Sequence, residues 1–208
     1  MADTGAVETV MLSLDASWEP GSRWPPQCCV PAFVYAALRN EGISFAAPAA
    51  LPALLGVKVA PNDENPLQLP VVGHGEPAGI TANKSMVSIN RLLSEIGAPI
   101  AFRHLPFRKI PFSMYDDALE RALGLGLVVG AGVDYAKMPN SQTRVRSQHV
   151  FRVVTFKSGS VHLFDDSGEC SPPELNLGFE DLTKAIIAAG DGWWLIGEPA
   201  SLEQVGGL

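Results

Sequence analysis

The sequence predicts an α+β fold, with helices in the first half of the chain and an antiparallel sheet in the second. Apolar residues recur at helical spacing from residue 29 onward and again over residues 86–96. The second half carries short β-type runs, and a Lys-Ser-Gly hairpin signal at residues 157–159 joins two of them. Helices followed by neighbouring strands are typical of α+β folds, and we expect two lobes with a cleft between them.

Length and composition fit one globular domain. The chain has 208 residues, of which 47% are hydrophobic and 18% charged, a balance that supports a buried core without disulfides. We therefore predict a single domain over residues 1–208, with a helical lobe at about 29–125 and a sheet lobe at about 126–199.

The charge pattern disfavours some classes of function. The net charge is -7 and there is no basic stripe, so binding of nucleic acid through phosphates is not expected. We find neither a secretory signal nor an apolar run of the roughly twenty residues that cross a bilayer. We expect a cytoplasmic protein with no integral membrane segment.

The three cysteines are Cys28, Cys29 and Cys170. An odd number without a signal peptide indicates reduced thiols and not a disulfide framework. Zinc sites usually combine two separated Cys or His pairs, which this sequence lacks, so we expect no metal.

The first helix is predicted to begin at Cys29. One of its faces is apolar, comprising Val30, Phe33, Val34, Ala37 and Leu38. Pro31 falls in the first turn, where its missing N–H costs nothing, and Gly42 is a stop signal. Cys29 is therefore expected at the N-terminus of a buried helix.

The other elements follow in order from periodicity and turn residues. Helices are expected at residues 48–55, 86–96, after Ser113 and at 179–189, and strands at 7–14, 100–105, 127–133, 149–156, 160–164 and 193–197. Residues 56–80 form a long segment rich in Pro, Gly and Asn, which we interpret as a lid, a loop insertion or a linker.

A possible catalytic set emerges from these positions. A helix N-terminus lowers the pKa of a cysteine, and the thiolate is the attacking species. His149 begins one strand of the predicted hairpin and Asp165 follows the other, so the two should meet at one rim of the sheet. A histidine can take the thiol proton while a carboxylate orients its ring.

These segments resemble a known family. CVPAFVYAALRNEGI is similar to the CGPAALAMVLRYYGI-type signature of the bacteriocin-processing, double-glycine leader peptidases and their stand-alone relatives, within the papain-like superfamily. HVFRVVTFKSGSVHLFDDSGE resembles the family's histidine strand, hairpin and Asp-containing strand end, and GFEDLTKAIIAAGDGWWLIGEP its last helix and closing strand. The residues that match the first signature are Cys29, Pro31, Ala32, Leu38 and Gly42.

The resemblance implies a papain-like, two-lobed cysteine peptidase or amide hydrolase. Cys29 would be the nucleophile, His149 the general base and Asp165 the orienting residue. The substrate would be a peptide or small protein cleaved through a thioacyl intermediate, with no metal or cofactor.

The sequence departs from the family at three positions. Val30 stands where the family has Gly, and Arg23 stands where the family's oxyanion glutamine commonly lies. We assign Gln27, the nearest glutamine, as the oxyanion donor. Asp166 replaces the usual Pro and is an alternative to Asp165 for the orienting role.

Other interpretations remain open. Gln27-Cys28 also resembles the Gln-Cys-Trp of transglutaminase-like enzymes, so Cys28 is a rival nucleophile and acyl transfer a rival reaction. The chain could also be a non-catalytic, peptide-binding homologue. Among the remaining candidates, Cys170 and His104 are interpreted as lacking functional partners, and His162 as a surface residue.

Overall fold

The computed structural model describes residues 24–76, 78–80, 82–139, 141, 148–170 and 172–206, without the side chains of 82–86 and 206. Its helices are α1 Cys29–Asn40, α2 Leu51–Leu55, α3 Ala82–Glu95, α4 Tyr115–Gly124, α5 Phe179–Ala189 and α6 Pro199–Gly206. Its strands are β1 Ala101–Pro106, β2 Val128–Asp134, β3 Gln148–Lys157, β4 Ser160–Phe164, β5 Glu174–Gly178 and β6 Gly192–Gly197. Short 3-10 turns lie at Pro48–Ala50, Phe107–Lys109, Phe112–Met114 and Tyr135–Lys137.

The six strands form one antiparallel sheet in the order β1-β6-β2-β3-β4-β5. The predicted combination of helices with an antiparallel sheet is confirmed. β1 lies within the range predicted to be helical, but it pairs with β6 at one edge of the sheet.

Helices cover both faces of this sheet. Successive side chains of a strand point to opposite faces, and Trp193 and Trp194 accordingly belong to two different hydrophobic clusters. The cluster around Trp194 packs against α1, α2 and α3, whereas the cluster around Trp193 packs against α4, α5 and α6. Helix α1 therefore lies on the Trp194 face.

The turn between β3 and β4 sets the register that positions the site. Ser158 and Gly159 both have positive φ, of 52° and 74°, as a two-residue hairpin turn of type I′ requires. Lys157 pairs with Ser160 directly beside this turn. A register shift between Val153 and Thr155 bends β3 towards its other end.

The segment 56–80 is packed against the protein. Val57, Val59, Leu67 and Leu69 are all buried in the cluster on the α1 face. Asn65 closes a turn by exchanging two 2.8 Å hydrogen bonds with the backbone of Leu69.

Some expectations differ from the structure or lie outside its described part. The predicted strand at residues 7–14 falls outside the described residues. β5 and α6 were not predicted. β5 reads ELNLG, and its alternating residues are only half-buried, so it lacks a clear apolar run. Within the described part of the chain, no helix is long and apolar enough to span a membrane.

Candidate active site

The site is built around the start of helix α1. Cys29 is its first residue, and the preceding Cys28 is completely buried. Backbone N–H groups of Val30 and Val150 donate hydrogen bonds to the Cys29 sulfur. Cys29 as a residue is partly exposed, although its thiol is enclosed. Because Val150 immediately follows His149, these contacts bring the thiol to the first residues of β3.

His149 and Asp165 meet as the hairpin predicts. Nε2 of His149 lies 3.0 Å from Oδ1 of Asp165, and the two side chains are 6% and 0% exposed. A carboxylate only accepts hydrogen bonds, so Nε2 carries the proton in this contact. Nδ1 is therefore the basic nitrogen of the neutral ring.

Asp165 is held by a dense set of donors. Oδ1 also accepts the Ser167 N–H at 3.0 Å and the Ser167 hydroxyl at 2.6 Å, and Oδ2 accepts the Cys170 N–H at 2.7 Å. Burial by itself raises the pKa of Asp165, but the hydrogen bond and charge of His149, with those donors, outweigh burial and hold the pKa well below its usual range. Asp165 is thus a fixed carboxylate.

The neighbouring Asp166 has a different partner. It forms a bidentate ion pair with Arg152, with N···O distances of 2.9–3.1 Å. Burial raises the pKa of Asp166, although Arg152 opposes the shift. Of the two candidates for orienting His149, Asp165 contacts the imidazole and Asp166 binds Arg152.

The thiol of Cys29 is not acidic in the resting site. Burial, followed by the negative charge of Glu169, raises the pKa of Cys29 to about 12, against the lowering effect of the Val150 N–H. This differs from the expectation that the helix N-terminus lowers it. The enclosed position of the sulfur outweighs the helix dipole, so the thiol is protonated and needs a base to become a nucleophile.

Cys170 has partners that the sequence did not predict. Its thiol, a ring nitrogen of His149 and a carboxylate oxygen of Asp165 all lie within 4.8 Å of one another. Cys170 also hydrogen-bonds the side chains of Tyr135 and Asp165, and burial raises its pKa to about 12. The interpretation of Cys170 as a residue without a paired base was therefore wrong.

Two features separate Cys170 from Cys29. Cys170 is buried in the cluster on the Trp193 face, and it does not begin a helix. Cys, His and carboxylate groups are also the donors that zinc prefers. Here their proximity is accounted for by the hydrogen bonds to Asp165 and Tyr135, and we assign no metal to them.

Gln27 lies beside the start of α1 and contacts the 56–80 segment. Its amide nitrogen donates to Oδ2 of Asp63 at 3.3 Å. The Gln27 backbone has φ 69°, which is uncommon for a residue with a side chain and recurs at functional sites. The strain and the Asp63 contact fix its side chain next to the residues that precede Cys29.

A second His–Asp pair was missed by the sequence analysis. Nε2 of His104 lies 2.6 Å from Oδ1 of Asp191, which also accepts the Trp194 indole N–H at 3.0 Å. The interpretation that His104 lacks a partner was wrong, because its partner stands 87 positions away. His162 is half-buried beside Glu174, at 3.6 Å.

A groove of about 780 Å³ runs between α1 and the loop that carries Asp165. Its walls include the aromatic rings of Trp24, Tyr35 and Phe164. The Trp24 N–H donates to the carbonyl of Ser167 at 2.9 Å, so the chain entering α1 is tied to this loop. The groove provides an open, partly aromatic surface next to the His149–Asp165 pair.

Comparisons with known proteins agree with this architecture. No family model matches the sequence, and no curated protein matches it. Among solved structures, the fold is similar to a crystal structure from Bacillus anthracis whose protein carries the provisional name C39-like peptidase. The TM-score is 0.53 at 14% sequence identity, and the match covers 86% of this chain and 92% of that one. The chain therefore shares the mixed fold, helices with an antiparallel sheet, of that protein.

Proposed function

We propose that the protein is a cysteine peptidase or amide hydrolase in which Cys29 is the nucleophile, His149 the base and Asp165 the residue that orients the base. The observation that carries the proposal is the 3.0 Å contact from Nε2 of His149 to Asp165, combined with the bond from the next residue's N–H to the Cys29 sulfur. The first contact leaves Nδ1 as the proton acceptor, and the second keeps the thiol at the same strand end.

The likeness to a C39-like peptidase supports this assignment at the level of the fold. The finer features belong to the proposal: a papain-like, two-lobed arrangement in one domain over residues 1–208, acting in the cytoplasm on a peptide or small protein. Three free thiols suit a reducing compartment. The groove beside α1 is wide enough for side chains of an extended peptide.

The proposed reaction has two stages. As Cys29 attacks the scissile carbonyl, its proton passes to Nδ1 of His149, and a C–S bond forms while the carbonyl π electrons move to oxygen. The tetrahedral intermediate expels the amine, which takes the proton from Nδ1, and leaves a thioester. Water then attacks the thioester after giving a proton to Nδ1, and the C–S bond breaks to release the acid and restore the thiol.

Two features of the site suit this sequence. The raised pKa of Cys29 means that proton transfer accompanies attack, so activity depends strongly on the base. The oxyanion of the intermediate needs preorganised donors. We assign this role to the Gln27 amide, which lies two residues before Cys29, together with free N–H groups at the start of α1.

The experiment is to measure the alkylation rate of each cysteine with iodoacetamide by mass spectrometry, in wild type, in His149→Ala and in His162→Ala. We expect Cys29 to react and His149→Ala to slow it by roughly 10²-fold or more, the scale of general-base catalysis. His162→Ala is the matched control and should leave the rate unchanged. Cys28 and Cys170 should stay unreactive in folded protein.

A Cys29 rate that is low and indifferent to His149→Ala would overturn the enzyme proposal. The non-catalytic, peptide-binding alternative would then explain the fold. Preferential labelling of Cys28 or Cys170, sensitive to His149, would move the nucleophile to that residue.

A further inference from the structure

Two carboxylates flank the imidazole of His149. Asp165 lies 3.0 Å from Nε2, and Oε2 of Glu169 lies 3.8 Å from Nδ1. Both come from the loop that follows β4. The mechanism above uses Asp165 only, and it assigns Nδ1 the task of receiving the Cys29 proton. Glu169 is thus beside the nitrogen at which the proton arrives.

The loop holds Glu169 in place through its backbone. The Ser167 hydroxyl donates to Asp165 at 2.6 Å, and its oxygen accepts the Glu169 N–H at 3.3 Å. The imidazole is confined as well, because its ring packs against Phe151, with centroids 4.6 Å apart. The side chain of Glu169 is 28% exposed whereas that of Asp165 is fully buried. One carboxylate is sealed behind the ring and the other lies at its accessible side.

We propose that Glu169 is a positioning residue that acts through His149 and sets the pH range in which Cys29 loses its proton to the imidazole. This inference rests on the proposed function. At 3.8 Å from Nδ1, the carboxylate attracts the ring in its protonated form and repels a negative sulfur nearby. Both effects delay loss of positive charge from the pair as the pH rises, so the working range moves upward.

The other titratable groups around the pair are accounted for. Asp165 and Cys170 face His149 from the same loop, Tyr135 faces it from the turn after β2, and Cys28 lies next to Cys29. After burial, Glu169 is the largest influence that raises the pKa of Cys29, and Asp165 adds a smaller one. Glu169 also raises the pKa of Cys170. Its charge therefore reaches both sides of the site.

The test compares Glu169→Gln with Glu174→Gln by following Cys29 alkylation across a pH series. Glu174 is a matched control, because it is an exposed carboxylate that pairs with His162 at 3.6 Å on the neighbouring strand. We expect Glu169→Gln to move the midpoint of the rate profile down by about one pH unit, or roughly tenfold in rate below the midpoint. Glu174→Gln should leave the midpoint in place.

Glu169→Ala removes the same charge with a different shape, and it must shift the midpoint in the same direction. A midpoint that stays fixed in both Glu169 variants, even if the rate falls, overturns the inference and leaves the proposed function standing. Cys29 labelling that ignores His149→Ala removes the proposed function, and the inference falls with it.

Discussion

His149 and Asp165 stand sixteen positions apart in the chain, yet Nε2 of one lies 3.0 Å from Oδ1 of the other inside the protein. The β3–β4 hairpin accounts for the contact, because its two outer ends close on each other. The next carboxylate, Asp166, is turned towards Arg152. The pairing therefore distinguishes two adjacent residues of the same chemistry.

The first prediction uses this distinction. Asp165→Asn replaces an acceptor by a group that can donate to Nε2, so it stabilises the ring tautomer that has its proton on Nδ1. We expect the rate of Cys29-dependent hydrolysis or alkylation to fall by roughly 10²- to 10⁴-fold, as for other orienting carboxylates. Asp166→Asn is the control and should retain most of the rate. Equal losses in the two variants would contradict the assignment of the orienting role to Asp165.

The second prediction concerns stability against pH. The folded pKa of Asp165 lies below its unfolded value, so the ionised carboxylate contributes stability that is fully present above the unfolded pKa. That stability is lost as the pH falls through the folded pKa. We expect the free energy of unfolding of wild type, measured in urea, to fall as the pH drops below about 5, and Asp165→Asn to flatten this dependence.

Asp166 should behave in the opposite way. Because burial raises its folded pKa, protonation of Asp166 favours the folded state as the pH falls. Asp166→Asn should therefore make the acid loss steeper or leave it unchanged. Flattening by Asp166→Asn and not by Asp165→Asn would show that the pKa directions are reversed.

The local part of the site could be predicted from the sequence. Helical spacing after Cys29 indicates a buried helix that begins there, and the turn residues at 157–159 join two strands whose ends must then meet. Each inference involves residues near one another in the chain. The contact between His149 and Asp165 is the outcome of one hairpin, and turn chemistry specifies hairpins well.

The electrostatics of the site could not be predicted in this way. A helix N-terminus lowers a thiol pKa only when other effects are smaller, and here the burial of the sulfur and the charge of Glu169 dominate. Burial depends on packing between α1 and the sheet. Cys170 stands in a loop of irregular conformation, so its approach to His149 had no periodic pattern to reveal it.

The His104–Asp191 pair illustrates long-range placement. β1 and β6 are edge-side neighbours in the sheet although almost the whole second half of the chain separates them. No spacing rule connects two such residues. A signal was nevertheless present, because β2 has a glycine at position 132, directly beneath the Asp191 carboxylate. Glycine within a strand often marks a close approach of this kind.

The third prediction follows from that glycine. A Cβ at position 132 would overlap the carboxylate of Asp191, which accepts bonds from His104, Gly192 and Trp194. We expect Gly132→Ala to lower the free energy of unfolding by about 1–3 kcal/mol, the usual cost of overpacking, as measured in urea.

Gly124→Ala serves as its control. Gly124 ends α4, and a Cβ there would meet nothing within 4 Å. We expect this variant to be neutral or to gain about 0.5–1 kcal/mol, because alanine loses less entropy in a helix. If the two variants were equally stable, the Asp191 carboxylate could move aside without cost.

The fourth prediction concerns the oxyanion. If the Gln27 amide stabilises the developing negative charge, Gln27→Ala should lower kcat on a peptide substrate by roughly 10²- to 10³-fold with little change in KM, because the donor acts in the transition state. Gln68→Ala is a matched control, since Gln68 is also a glutamine with positive φ, at 51°, but is exposed. It should leave kcat unchanged. A kcat that survives Gln27→Ala would assign the oxyanion to the N–H groups at the start of α1 and make the Gln27–Asp63 contact a structural tie to the 56–80 segment.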